Sequence, residues 1–170
     1  MAVTQFNLPV NQRAERKLLI TVAEWSEGSE KVREILGRRT EDSSIEYNPD
    51  IETTTDILGI NYTDINRTQP QQDFDPYLIL GGSKLGAKLN DIRKRNAIAE
   101  LNQFTIYIIT VFAGSDGAYE AEKHTGCTIV YNSIGGDSNV NFPISVYLSN
   151  DITNGTVDVL TDAFVFTAIP

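Results

Sequence analysis

One histidine and one cysteine, His124 and Cys127, stand in an H-x-x-C spacing. Two such ligands could begin a zinc site, but no second pair follows at a compatible distance. The bland alternative is a surface histidine beside a buried cysteine that opens a strand. The same two residues make a poor nucleophile–base pair, because they share one short segment and no third group is in place to orient them. Carboxylates at alternate positions, Glu46, Asp50, Glu52 and Asp56, could supply the acid and base of a glycosidase. In a chain this acidic a carboxylate pair is weak evidence, and no aromatic sugar platform accompanies it. The glycines at 81–82, 114, 117 and 135–136 sit in turn contexts, and no G-x-x-x-x-G-K-[ST] or G-x-G-x-x-G run occurs. Trp25 reads as core. The expectation is a protein that is not an enzyme and needs no cofactor or metal.

Composition narrows the remaining classes. The chain has 170 residues, 41% of them hydrophobic and 22% charged, which suits a single globular domain. A single cysteine excludes an intrachain disulfide, so the fold asks for no oxidising compartment. No apolar run approaches the length of a membrane span, and the start MAVTQFNLPVNQRAERK lacks the pattern of a Sec-type signal. These features predict a chain made and used in a cytoplasm. A net charge of −9 argues against wrapping nucleic acid, which needs clustered cations. The cations form two groups, Arg13–Lys17 continuing at Lys31–Arg39, and Lys84–Arg95. With the acidic middle they make blocks of alternating sign, which suit self-association.

The elements that would position these residues are mostly strands. Residues 1–15 carry Phe6, Leu8 and Val10 without helix caps, and read as an arm. Lys17–Trp25 reads as a strand. Val32–Leu36 is ambiguous between a short capped helix and a strand, with strand favoured. Ser83 can cap a helix from Lys84, about 83–99 in extent and ending between Asn96 and Glu100, with Leu85, Leu89, Ile92 and Ala99 on one stripe and Lys88, Arg93, Lys94 and Arg95 off it. Phe104–Ala113 is apolar on both faces, as expected of a central strand covered on both sides. Further strands are expected at Cys127–Asn132, at Val140–Leu148 with Val140, Phe142, Ile144, Val146 and Leu148 inward, at Thr156–Leu160 and at Phe164–Ala168. SNDITNG, leading into Thr156–Leu160, reads as turn chemistry. The class is mainly β with one packed α-helix, a β-sandwich or partly closed barrel.

Between Ser44 and Ile57 the pattern alternates with a period of two. Glu46, Asn48, Asp50, Glu52, Thr54 and Asp56 fall on one side, and Ile45, Tyr47, Ile51 and Ile57 on the other. This predicts a ribbon with a packed face and an acidic, wet face, turning at Ile57–Gly59 into a return strand. Pro49 is the discordant residue. Residues 41–77 hold nine acids and one base, a net −8 of the chain's −9. Most charged faces are simply solvated. The polar, proline-containing stretch NRTQPQQDFDPY, about 66–76, reads as a loop.

The block YNPDIETTTDILGINYTDINRTQPQQDFDPY resembles the central part of the major tail (tube) proteins of long non-contractile-tailed bacteriophages of Gram-positive hosts. The likeness continues through DIRKRNAIAELNQF, GAYEAEKHTGCTIVYNSIGGDSNV and SNDITNGTVDVL, about residues 40–160, and rests on the order and spacing of these blocks. It implies a structural subunit forming six-fold rings that stack into a tube, assembled in a host cytoplasm and carried in the virion. The implied partners are further copies of itself, the tape measure, terminator and distal tail proteins, and DNA that passes without sticking. On this resemblance Glu46, Asp50, Glu52 and Asp56 would line the lumen, where carboxylates repel phosphates. Phe6, Leu8, Val10, Arg67, Asp73, Phe74, Arg93, Lys94 and Arg95 would meet neighbouring subunits. Two other readings stay open. One is a carbohydrate-binding β-sandwich presenting Tyr107, Tyr119, Tyr131 and Tyr147; the other is the tube protein of a contractile injection or secretion machine.

Overall fold

In the computed structural model, which describes residues 6–170, the chain is mainly β with one α-helix, and its sheet does not close. The strands in order are β1 (Leu19–Glu27), β2 (Glu30–Ile35), β3 (Ile45–Glu46), β4 (Asp50–Thr55), β5 (Asn61–Arg67) and β6 (Gln71–Phe74). After helix α1 (Lys84–Arg95) come β7 (Phe104–Ser115), β8 (Ala118–Tyr131), β9 (Ile144–Tyr147), β10 (Ile152–Val157) and β11 (Phe166–Ala168). Nine strands form one antiparallel network in the order β2-β1-β7-β8-β9-β6-β3, with β10 paired to β8 and β11 to β10.

The long β8 makes two sheets out of one. Its first half pairs with β7 and β10, and its last residues, Thr128–Tyr131, pair with β9. Gly126, at φ +73, allows the backbone to turn between the two halves. The β9-β6-β3 part thus folds over the β1-β7 part, and the main core lies between them. Trp25, Phe104, Ile106 and Ile108 face Phe74, Ile129, Ile144 and Val146 there, with Leu85, Leu89 and Ile92 of α1 closing one side. The opposite face of β1 and β7 carries Val22, Tyr107 and Ile109, and is covered by Val157 and Phe164. This explains why Phe104–Ala113 carries apolar residues on both faces.

Helix α1 has the N-cap its sequence predicts but ends at Arg95, short of the expected 99. Ala99 lies exposed in a separate 3-10 turn at Ile98–Asn102 instead of on the apolar stripe. Ser83 Oγ accepts from the Gly86 amide at 3.1 Å, and Asn96, left-handed at φ 53, ends the helix. A second device comes from β2, which here is a strand as favoured. The Glu34 carboxylate accepts from the Leu85 amide at 2.9 Å and from the hydroxyls of Ser83 and Tyr77 at 2.9 and 3.2 Å. It thereby occupies the positive end of the helix.

Several expectations are corrected. The loop placed at about 66–76 is mostly strand: Asn66 and Arg67 finish β5, and Gln71–Phe74 is β6, held between β3 and β9. Pro70 is buried and Phe74 is 1% exposed, so Phe74 is a core residue and not a surface contact. Polar composition misled because Asp73 faces solvent while the polar Gln72 is buried, its side-chain amide accepting from Thr21 Oγ1 and donating to Ser43 Oγ. SNDITNG was read as a turn, but Ile152–Val157 is β10, in which the buried Gly155 lies so close to β11 that a Cβ would meet Thr167 O at 2.4 Å. Val140 is 49% exposed and precedes β9, whereas Phe142, Ile144, Val146 and Leu148 are buried. Of the expected arm at 1–15, residues 1–5 lie outside the described residues. Phe6 bridges Ala113 and packs edge-on against Phe112, and Asn7 donates to Phe112 O.

Candidate assembly surface

The expected ribbon is two pieces. Asn48, left-handed at φ 43, and Pro49 break the run between β3 and β4. Glu46 therefore sits on β3, opposite Gln71, and belongs to the body of the molecule. Asp50, Glu52 and Asp56 belong to the β4–β5 hairpin, a separate two-stranded sheet. The four carboxylates do not share one strand face.

The hairpin has no packed side. Ile51, Tyr62 and Ile65 are more than half exposed, Leu58 is 78% exposed, and Ile57 at the tip is completely so. The expected apolar, packed face is thus not packed within this chain. The register sorts the side chains instead by charge. Ile51, Thr53 and Thr55 lie opposite Ile65, Thr63 and Asn61, a wholly uncharged face in which Thr55 Oγ1 donates to Asn61 Oδ1 at 2.7 Å. On the other face Glu52 lies directly opposite Asp64, and Thr54 opposite Tyr62. Like charges directly across a strand pair repel. Asp50 is paired with Arg67 at 3.8 Å, so Arg67 acts within the hairpin.

Asp56 is a turn residue. Its Oδ1 accepts from the Leu58 and Ile60 amides at 2.8 and 2.9 Å, and its Oδ2 accepts from the Tyr62 hydroxyl at 3.3 Å. The Ile60 amide above all, with those of Leu58 and the Tyr62 hydroxyl, holds its carboxyl below the usual value despite some desolvation. Gly59, at φ +77, completes the turn. The signal was present in the sequence as D-x-x-G, the spacing of an Asx-type turn.

The cations expected on the helix surface are mostly engaged inside the chain. Arg95 binds Asp91 at 2.7 Å and Glu100 at 2.8 Å, and Lys88 binds the same Glu100 at 2.9 Å. Arg95 first, then Lys88, pulls the Glu100 carboxyl down to about 2. Arg93 donates to Asn90, and Arg93 and Lys94 are exposed. Asp73 is exposed beside Glu46, Asp42 and Asp75 in a shallow acidic hollow. Leu8 is half-buried and Val10 is exposed.

His124 and Cys127 are both buried. His124 Nδ1 lies 2.9 Å from Ser149 O and Nε2 lies 3.4 Å from Glu122. Burial lowers its pKa, but those two contacts outweigh it and the net shift is upward. Burial raises the Cys127 thiol, the opposite of what an activated nucleophile requires. Among the described residues no group of three or more His, Cys, Asp or Glu could hold a metal ion, and no helix is long and apolar enough to cross a membrane. The proposed tyrosine platform is dispersed. Tyr107 is 2% exposed and reaches Glu24; burial first, then the Glu24 charge, raises its pKa to about 12. Tyr131 stacks on Phe142, and only Tyr147 of the four is openly exposed.

No protein-family model matches the chain, and no curated protein matches it. Among solved structures, it is similar to the tube-terminating cap of the anti-feeding prophage, at 14% identity and a TM-score of 0.49, over 92% of this chain and 99% of that one. It is also similar to a chain of the sheath–tube complex of the PVC extracellular contractile injection system in its extended state, at 12% identity and 0.47, over 87% and 95%. A third likeness is to a chain of the anti-feeding prophage baseplate, at 9% identity and 0.46, over 86% and 97%. All three are parts of contractile or phage-tail-like particles.

Proposed function

We propose that the chain is a structural subunit of a tail-type tube and works by associating with copies of itself. The observation that carries this reading is the β4–β5 hairpin. A lone two-stranded ribbon is marginal in water, and this one leaves Ile51, Ile57, Leu58, Ile60 and Ile65 uncovered. Such a surface is an aggregation liability in a monomer and an asset in an assembly. The open ends of the sheet, β2 and β3, add unpaired strand edges. The order of the sequence blocks supports the same reading and adds its finer parts: six-fold rings, stacking, passage of DNA, and partners among other tail components. On it, Glu46 on the body and the hairpin carboxylates Asp50 and Glu52 supply negative charge from separate surfaces, while Asp56 serves the turn. Contacts by the arm, with Leu8 and Val10, and by Arg93 and Lys94 are further parts of the proposal.

Size-exclusion chromatography and negative-stain microscopy of the purified chain test this directly. Rings or tubes are expected. Replacing residues 50–67 by a short turn should leave a folded monomer, because no side chain of that segment is buried. A chain that stays monomeric under all conditions that favour assembly, or a shortened chain that assembles like the full one, contradicts the reading. Co-purification with a sheath protein would place the subunit in a contractile device, and its absence beside an assembled tube in a non-contractile one.

A further inference from the structure

The hairpin needs a receptor, and the body of the chain offers one. A cleft of about 400 Å³ lies between the start of β1 and the segment following β2. Its floor includes the half-buried Leu19, Ile20 and Ile35, and its rim carries Arg16, Lys17 and Arg38. The Arg16 guanidinium is held by Ser43 O at 2.7 Å and Leu19 O at 2.6 Å, so the rim is fixed on that side. Arg38 and its neighbour Arg39 are exposed and make no ion pair among the described residues. Glu41 is the one acid in the lining.

We infer that this cleft receives the β4–β5 hairpin of a second copy of the chain. The inference rests on the self-association proposed above and names the surface that meets the hairpin. Two matches support it. The apolar tip, Ile57 and Leu58, has an apolar floor to cover it. Glu52 and Asp64, which face each other with no cation between them, meet the unpaired Arg38 and Arg39. Bringing cations to that face replaces a repulsion with an attraction, so the charges set the register of docking as well as its strength. The contact is heterologous: the hairpin of one copy enters the cleft of the next, which propagates and does not stop at a dimer.

Charge reversal on each side tests the inference. Glu52→Lys with Asp64→Lys, and separately Arg38→Glu with Arg39→Glu, should each raise the concentration needed for assembly by about tenfold or more. Circular dichroism should show both variants folded, since all four residues are exposed. Combining the four substitutions in one chain should restore assembly, read by sedimentation velocity. As a second measurement, a chain carrying Ile57→Cys mixed with one carrying Lys17→Cys should be joined by a short bis-maleimide, the native Cys127 being buried. If the wild type assembles while the reversals have no effect, or if the combination does not rescue and no cross-link forms, the hairpin docks elsewhere and this inference falls alone. If the wild type does not assemble, both it and the proposed function fall.

Discussion

Asp56 illustrates what burial and hydrogen bonding do to a single carboxylate. It was expected to stand in a row of free acids, yet its two oxygens accept three bonds that close the hairpin turn. Its pKa is lower folded than unfolded, so its contribution is present above the ordinary value of 3.8 and is lost as pH falls through the lower folded value. Asp56→Ala should therefore speed amide exchange at Leu58 and Ile60 several-fold at neutral pH, and acidification of the wild type should do the same. Exchange measured by NMR decides it. Unchanged protection in the variant would mean that Gly59 and strand pairing suffice for the turn.

At the scale of elements, the join between β2 and α1 depends on Glu34. One carboxylate serves the first amides of the helix together with the hydroxyls of Ser83 and Tyr77. Burial first, and the nearby negative charge of Glu34, push the Tyr77 phenol pKa well above its usual value. Glu34→Ala leaves buried donors without an acceptor, and should cost about 1–3 kcal/mol in urea unfolding. Lys94→Ala on the exposed face of the same helix should cost almost nothing. Equal effects of the two substitutions would show that the helix is held by Leu85, Leu89 and Ile92 alone.

The whole molecule is built on a sheet covered on both faces, and the second cover is the C-terminal segment. Phe164 is 2% exposed, lies edge-on to Tyr107 at 4.9 Å, and receives the Arg33 guanidinium 4.2 Å from its ring centre. Arg33 in turn is paired with the buried Glu24. One side chain thus covers apolar area and shelters an ion pair from water. Phe164→Ala should cost about 3–5 kcal/mol, lowering the urea midpoint with no loss of the hairpin's own NMR signals. A loss under ~1 kcal/mol would show that the segment is a loose cover, able to repack around the cavity.

Local pattern was enough for some of this. The helix with its Ser83 cap, the two-sided strand at Phe104–Ala113 and the turn at Ile57–Gly59 were legible, because caps, periodicity and turn residues act within a few positions. The sequence also placed the excess of acid between residues 41 and 77. Tertiary structure decided the rest. Period-two alternation is the same for a ribbon packed on a core and for one standing free, so only the fold shows that no core covers the Ile51–Ile65 pair. A polar strand such as β6 is indistinguishable from a loop until β3 and β9 pair with it. The position of Glu34 at the start of α1, and of Arg38 at the rim of a cleft, depends on chain segments brought together from far apart, and alternation within a segment carries no record of its partner.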